Sequence, residues 1–329
     1  MNALETLPIY DRLLKKIYAY YQTIWRDKFK DDIHQDWLNN FHHSDTDLSE
    51  KEKLNMLYLL SKFMYFGNEE LRQLLLSVFR DLYKYPIISQ IRKANNDTID
   101  QNFIDIEFKK ELEKTRFLGV GNPSESGVHL LYYFRQQCGL SKRSFINTSD
   151  IFTTLPIIEK DNHGNDRKFL KSEINHKDVK RYIFIDDFCG SGQQATLYLK
   201  NTAENMKFED PDIEISYLML FSTEVGLNEV RKIKALDVVE AIFTIDDTFK
   251  AFSTQSRYFT STVDKDIDKA FSKTTATKYG SPLFHPALGH GDCQLLFGLF
   301  HNTPDNTLPI FWSETKDWKA IFKRYNKIY

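Results

Sequence analysis

From about residue 114 onward, short apolar runs separated by Gly, Ser and Asp turns alternate with segments of helical period, and this alternation most limits the folds open to the chain. "RFLGVG" (116–121) predicts a strand, "VHLLYYFRQQCG" a helix ending at Gly139, and "SFINTSDIF" a second strand. Residues 181–185 predict another strand, followed by a loop and a helix to about residue 205. "IEISYLMLFS" is apolar nearly throughout, as a strand covered on both faces must be. "EVGLNEVRKIKAL" then predicts a helix and "VVEAIFTI" a strand. The pattern predicts an α/β fold with a mostly parallel sheet and helices on both faces. Ligands of such sheets bind at the C-terminal ends of the strands. The charged stretch "EKDNHGNDRKFLKSEINHKD" predicts a long mobile loop, "QLLFGLF" and "TLPIFW" further strands, and "ETKDWKAIFKRY" a terminal helix.

Residues 1–113 read as an all-helical region preceding this domain, which then spans 114–329 with a C-terminal hood or tail. "LPIYDRLLKKIYAYYQTIW" has apolar residues at helical spacing, and Ser49 with Glu52 has the spacing of a capping box. Tyr20, Tyr21, Trp25, Trp37, Tyr65 and Phe66 make the region very aromatic, which suits a core and a partner-docking face equally.

The stretch "RYIFIDDFCGSGQQATLYLK" (181–200) carries the clearest chemistry. A loop feeding a helix presents unbonded N–H groups and the positive end of the helix dipole. Gly190 and Gly192 let the backbone approach an anion, and Ser191 adds a hydroxyl, so a monophosphate suits the loop, as does an ordinary tight turn. Asp186 and Asp187, adjacent at a strand end, point to opposite sides. Carboxylates repel phosphate, so their partners would be sugar hydroxyls or hydrated Mg2+; a solvated acidic turn is the plainer alternative. A ligand with a phosphate at one end and vicinal hydroxyls at the other, such as ribose 5-phosphate, satisfies both halves.

Other readings fit less well. "GSGQQA" matches G-x-G-x-x-A, but four residues separate the strand from its first glycine, two strands precede it, and Glu224 lies too far on to be the expected acid. No Gly-Lys-Ser/Thr phosphate loop is present. The net charge of -2 argues against a general nucleic-acid binder. No long apolar run predicts a membrane span, and the N-terminus lacks the order of a signal peptide. Cys138, Cys189 and Cys293 are widely spaced, which suits a reducing cytoplasm, and the nine histidines form no zinc pattern.

"YIFIDDFCGSGQQ" resembles the phosphoribosyltransferase signature of an aliphatic strand, two acids and a Thr/Ser-Gly phosphate loop. With "PSESG" upstream and the tail "LGHGDCQLLFGLFHNTPDNTLPIFW", residues 114–315 resemble the phosphoribosyltransferase-like domains of bacterial anti-phage conflict systems. The resemblance implies that Asp186 and Asp187 hold ribose and serve catalysis. It further implies that Gly190, Ser191, Gly192, Gln193 and Gln194 hold the 5-phosphate. Gln194 replaces the usual final Thr. It implies phosphoribosyl pyrophosphate or a nucleotide as ligand and Mg2+ as cofactor, met by Asp186 and Asp187 directly or through water. The pyrophosphate loop would be Asn122, Ser124, Glu125, Ser126 and Gly127, which lacks the usual cation; Arg116 or Arg135 would then compensate. Residues 153–178, with Lys160, Arg167, Lys168 and Lys171, occupy the position of a catalytic flap or form a plain surface loop.

Weaker candidates remain. Cys189 near a helix N-terminus would have a lowered pKa, though nearby carboxylates oppose a thiolate. Asp246 and Asp247 end a strand, as a base, a metal contact or a capped turn. His290, Asp292 and Gln294 form either a hood that reads a base or a loop. The expectation is a cytoplasmic effector or subunit of a defence system that breaks or exchanges the bond at ribose C1. Protein partners would dock through the helical region, and nucleic acid would be met only through a complex. The alternative is a non-catalytic nucleotide sensor on the same fold, and a further one is a scaffold whose pocket is vestigial.

Overall fold

The computed structural model describes residues 4, 7–25, 33–121, 126–160, 166–261, 263–315 and 317–325. In chain order the elements are α1 (Pro8–Thr23), α2 (Ile33–Leu38), α3 (Thr46–Leu60), β1 (Met64–Phe66) and α4 (Asn68–Ser77). A π-helical turn (Val78–Lys84) leads into α5 (Tyr85–Ala94) and α6 (Gln101–Glu113). Then come β2 (Thr115–Gly119), α7 (Ser126–Gln137), β3 (Phe152–Lys160), β4 (Asp166–Ile174), β5 (Arg181–Cys189), α8 (Gln193–Glu209), β6 (Glu214–Thr223), α9 (Glu224–Val230) and β7 (Val238–Ile245). The chain ends with α10 (Lys269–Gly280), β8 (Phe297–Leu299) and α11 (Pro309–Trp312). No helix among the described residues is long and apolar enough to cross a membrane.

Two compact units divide the chain: Met1–Leu71 with Ile245–Tyr329, and Arg72–Thr244. The expected boundary at 113/114 falls between α6 and β2, inside the second unit. Its sheet has the order β2-β5-β6-β7, with β2, β5 and β6 parallel. Both faces are covered. On one, Phe117 of β2 meets Phe134 of α7 at 5.2 Å and Tyr83 at 5.2 Å, and Phe79 and Phe108 extend the cluster. On the other, Leu118, Tyr182, Phe184, Tyr217 and Met219 pack with Ala195, Leu199, Ala203, Leu227 and Val230 of α8 and α9. The π-helical turn and α6 lie in this unit against the sheet: Tyr83 meets Thr115 and Phe117 of β2, and Glu111 of α6 meets Thr115 and Arg181. At the entry of β5, Arg181 bonds Glu111 of α6 at 2.5 Å and Glu214 of β6 at 2.8 Å.

Two expected elements of the second unit differ. Residues 144–151 form turns with a single bridge from Phe145 to Phe117 rather than a strand, because polar side chains there bond their own backbone, and Phe152 already opens β3. Ser141 accepts from the Arg143 N–H at 3.3 Å, and Asp150 accepts from the Asn147 N–H at 3.1 Å. The expected long loop is largely an antiparallel hairpin: β3 pairs β4 from Phe152↔Ile174 to Lys160↔Asp166. Its Leu155, Ile158 and Leu170 are exposed, so its strands never show the apolar density of the central ones. Residues 161–165 lie outside the described residues.

In the first unit, β1 runs parallel to β8. Trp25, Trp37, Tyr65, Phe63, Phe311 and Phe322 are buried in one core, so most of the N-terminal aromatics serve packing. The α3 cap is Asp45, which accepts from the Leu48 N–H at 3.2 Å. Ser49 and Glu52 sit inside the helix instead; Glu52 is buried and meets Lys278 and Tyr279, each at 2.7 Å. "TLPIFW" makes the short helix α11, with Pro309 in its first turn, rather than a strand. No helix follows among the described tail residues, where Ile321 and Phe322 give their N–H groups to the Phe311 carbonyl.

Candidate functional site

Strand β5 brings the acids to the C-terminal edge of the second unit's sheet. The pleat that buries Tyr182 and Phe184 against α8 carries Asp186 on the same face and turns Asp187 to the other. Asp186 Oδ2 accepts from the Tyr217 hydroxyl at 2.8 Å, and its Oδ1 accepts from the Asp187 N–H at 2.9 Å. Burial first, and the neighbouring Asp187 charge second, hold the Asp186 carboxyl well above the ordinary carboxylate range. Tyr217 is fully buried, and its own pKa is raised, by burial first and then by the Asp186 charge. Asp187 is 7% exposed and caps its own strand end, accepting from the Phe188 N–H at 2.8 Å.

The chain then leaves the sheet through Gly190, Ser191 and Gly192. Gly192 sits at φ 77°, the left-handed region that favours glycine. A methyl there would lie 2.8 Å from the Gly226 carbonyl oxygen. Ser191 Oγ accepts from the Gln193 N–H at 3.4 Å, which leaves the loop's own amides and the start of α8 as the positive feature of this edge. Gln193 and Gln194 are exposed.

The turn after β2 meets the same edge. The Val120 N–H donates to the Ile185 carbonyl at 3.2 Å. A methyl on Gly127 would lie 2.5 Å from the Val120 carbonyl oxygen and 3.1 Å from that of Ile185, so only glycine lets α7 start this close. Of the expected pyrophosphate loop, Asn122, Ser124 and Glu125 lie outside the described residues, as does the Ser126 side chain. Neither arginine proposed to supply its cation stands at that edge. Arg116 opens β2 and donates to the Glu113 and Thr115 carbonyls at 2.8 and 2.9 Å, while Arg135 is at the far end of α7 over Tyr132.

Cys189 is buried, and its thiol is pushed up to about 11 by desolvation and then by Asp186, the reverse of the lowering expected near a helix start. Asp246 caps the turn after β7, accepting from the Thr248 N–H at 2.9 Å. His290, Asp292 and Gln294 lie in the first unit. There the Gln294 amide is already engaged, accepting from the distant Phe252 N–H at 3.0 Å and donating to Asp292 at 3.2 Å.

No cluster of three or more His, Cys, Asp or Glu side chains converges among the described residues. Asp186 and Asp187 face opposite ways, so the pair does not enclose a cation alone. Mg2+ that keeps its waters and binds substrate oxygens requires only one or two carboxylates, and that donor set is present.

Tyr217, Ser222 and Thr223 are site residues that sequence reading misses. They lie on β6, distant in sequence, and only the parallel register Phe184↔Tyr217 and Cys189↔Ser222 brings them alongside.

A family model described as PRTase-CE matches residues 34–324. Among solved structures, similarity extends to a hypothetical protein from Neisseria gonorrhoeae with bound ppGpp (10% identity, 56% of this chain and 85% of that one, TM-score 0.25). It also extends to the AQ2163 protein of Aquifex aeolicus (10% identity, 67% and 86%, TM-score 0.29). A third is the Helicobacter pylori xanthine-guanine-hypoxanthine phosphoribosyltransferase (13% identity, 55% and 90%, TM-score 0.27). No curated protein matches.

Proposed function

The chain belongs to the PRTase-CE family, and from that premise we propose that its second unit binds a phosphoribosyl compound, either phosphoribosyl pyrophosphate or a nucleotide, and cleaves or exchanges the bond at ribose C1. The observation that carries the reading is the sequence of groups leaving β5: two carboxylates, then a glycine turn at φ 77°, then a helix start. The amides of Gly190 to Gln194 suit a 5-phosphate. The divergent carboxylates suit ribose hydroxyls, and Asp187, 7% exposed at the strand end, would stabilise positive charge developing on the sugar. Mg2+ held by Asp186 or Asp187 with substrate oxygens would offset the charge on a departing pyrophosphate.

The finer setting we propose is an effector or subunit of a bacterial anti-phage system, working in the cytoplasm with a protein partner. Its support is the likeness of "DDFCGSGQQ", "PSESG" and the tail to such domains. Binding without turnover is the second reading, favoured by the absence of Lys and Arg from residues 121–127.

Isothermal titration with phosphoribosyl pyrophosphate and Mg2+ tests the binding. The double variant Asp186→Asn/Asp187→Asn should lose at least tenfold in affinity, as expected when a charge-assisted hydrogen bond to a ribose hydroxyl goes. Unchanged affinity would remove the acids from ribose recognition. Product analysis separates the two readings: release of pyrophosphate, ribose phosphate or free base marks an enzyme, and binding alone marks a sensor.

A further inference from the structure

Two consecutive carbonyls at the end of β5 turn the same way, against the alternation of a strand. The Gly190 carbonyl accepts from the Thr223 hydroxyl at 2.6 Å, and the Cys189 carbonyl lies 3.2 Å from the Ser222 hydroxyl, whose one proton it shares with the Thr223 carbonyl at 3.0 Å. In a trans peptide the C=O and the following N–H point in opposite directions. Fixing these two oxygens on the β6–α9 turn therefore aims the Gly190 and Ser191 N–H groups away from that turn. Two successive amides aimed together form an anion-binding concavity.

Thr223 is itself held. It is the N-cap of α9 and accepts from the Gly226 N–H at 2.9 Å while donating to Gly190. It is 6% exposed, and Ser222 is fully buried, so neither hydroxyl is free to turn to water. A methyl on Gly226 would lie 2.3 Å from the Gly190 carbonyl oxygen, so helix α9 presses directly on the loop.

We propose that Thr223, with Ser222 beside it, is a positioning residue for the anion loop: its hydroxyl latches the Gly190 carbonyl to the β6–α9 turn and thereby points the loop's amides at the phosphate. The inference rests on the phosphoribosyl reading of that loop. With its hydroxyl engaged by Gly190 and Gly226, Thr223 would act through the orientation of one peptide plane rather than on the ligand itself. A valine at 223 has the same shape but neither donates to Gly190 nor accepts from Gly226. The carbonyl is then free to rotate, and with it the Ser191 N–H.

The test uses the full chain and three variants: Thr223→Val, Thr223→Ser and Ser222→Ala. Thr223→Val should bind ribose 5-phosphate about tenfold to a hundredfold more weakly than the parent, the factor for losing one hydrogen bond to a charged group. Thr223→Ser, which keeps the hydroxyl, should restore most of the affinity, and Ser222→Ala should show a smaller loss. A second readout needs no ligand: amide chemical shifts and hydrogen exchange at 190–193 should change in Thr223→Val and return in Thr223→Ser. If Thr223→Val melts earlier but leaves those amide signals and the affinity unmoved, Thr223 is a helix cap and the latch is wrong. Should Thr223→Val fail to fold, Ser222→Ala decides by the same two readouts. If the parent binds neither ribose 5-phosphate nor inorganic phosphate, the phosphoribosyl reading falls, and the amide readout still decides whether the latch exists.

Discussion

Replacing Asp186 by asparagine should make the protein's stability less sensitive to pH, in a direction that follows from the geometry. In the folded chain the half-buried carboxyl has the Tyr217 hydroxyl and the Asp187 N–H as its partners, and desolvation with the Asp187 charge raises its pKa. A carboxyl raised on folding binds its proton more tightly in the native than in the unfolded state. From the unfolded value of about 4 up to the folded value, the native state therefore holds more protons, and stability falls as pH rises, by about 1.4 kcal/mol for each pH unit crossed. Asparagine carries no such charge. It has a single acceptor oxygen, however, and so forfeits one of the two hydrogen bonds, worth about 1 kcal/mol. At pH 4 the variant should be the weaker protein by about that amount. As pH rises toward 8, the difference should close and then reverse, at up to about 1.4 kcal/mol per unit. Urea denaturation of both proteins at half-unit steps from pH 4 to 8 measures it. A difference that stays constant across the range, or that moves against asparagine with rising pH, would refute the assignment of Asp186 as a desolvated carboxyl at a cost in charge.

Gly192→Ala should cost about 1–3 kcal/mol, from the left-handed backbone and the 2.8 Å approach to Gly226, and should weaken phosphate binding, read by titration calorimetry. Asp45→Ala removes the α3 cap and should lower stability by about 1 kcal/mol in chemical denaturation, with no effect on ligand affinity. Phe117→Ala opens the aromatic cluster between β2, α7 and the helices before β2, and should cost about 3–5 kcal/mol; deletion of residues 72–113 should leave the sheet unable to fold, seen as loss of the cooperative transition. Cys189, with its thiol pushed up to about 11, should resist alkylation at pH 7.5 until the protein is unfolded, as counted by mass spectrometry.

Periodicity and turn chemistry were enough to place β2, β5, β6, β7 and the helix after the glycine turn, because each is specified by residues close in sequence. The run 214–223 is apolar on both faces and has no other stable use than a central strand. The positive φ at Gly192 and the opposed acids are likewise written locally. The hairpin β3–β4 was not legible, since exposed strands bury too little apolar surface to show a strand period. Nor were the turns at 144–151, where short polar side chains outcompete the sheet for the backbone.

What the sequence determined by itself is the strand–acid–glycine–helix unit and the class of ligand it suits. Tertiary structure alone decided that residues 72–113 join the unit of the sheet, that Tyr217 holds Asp186, and that Thr223 holds the loop's Gly190 carbonyl with Ser222 beside it. These partners are 31 to 33 residues from the groups they hold. The separation is bridged by strand register, and register is set by which faces of β5 and β6 are buried together, a property of the assembled sheet and not of either segment.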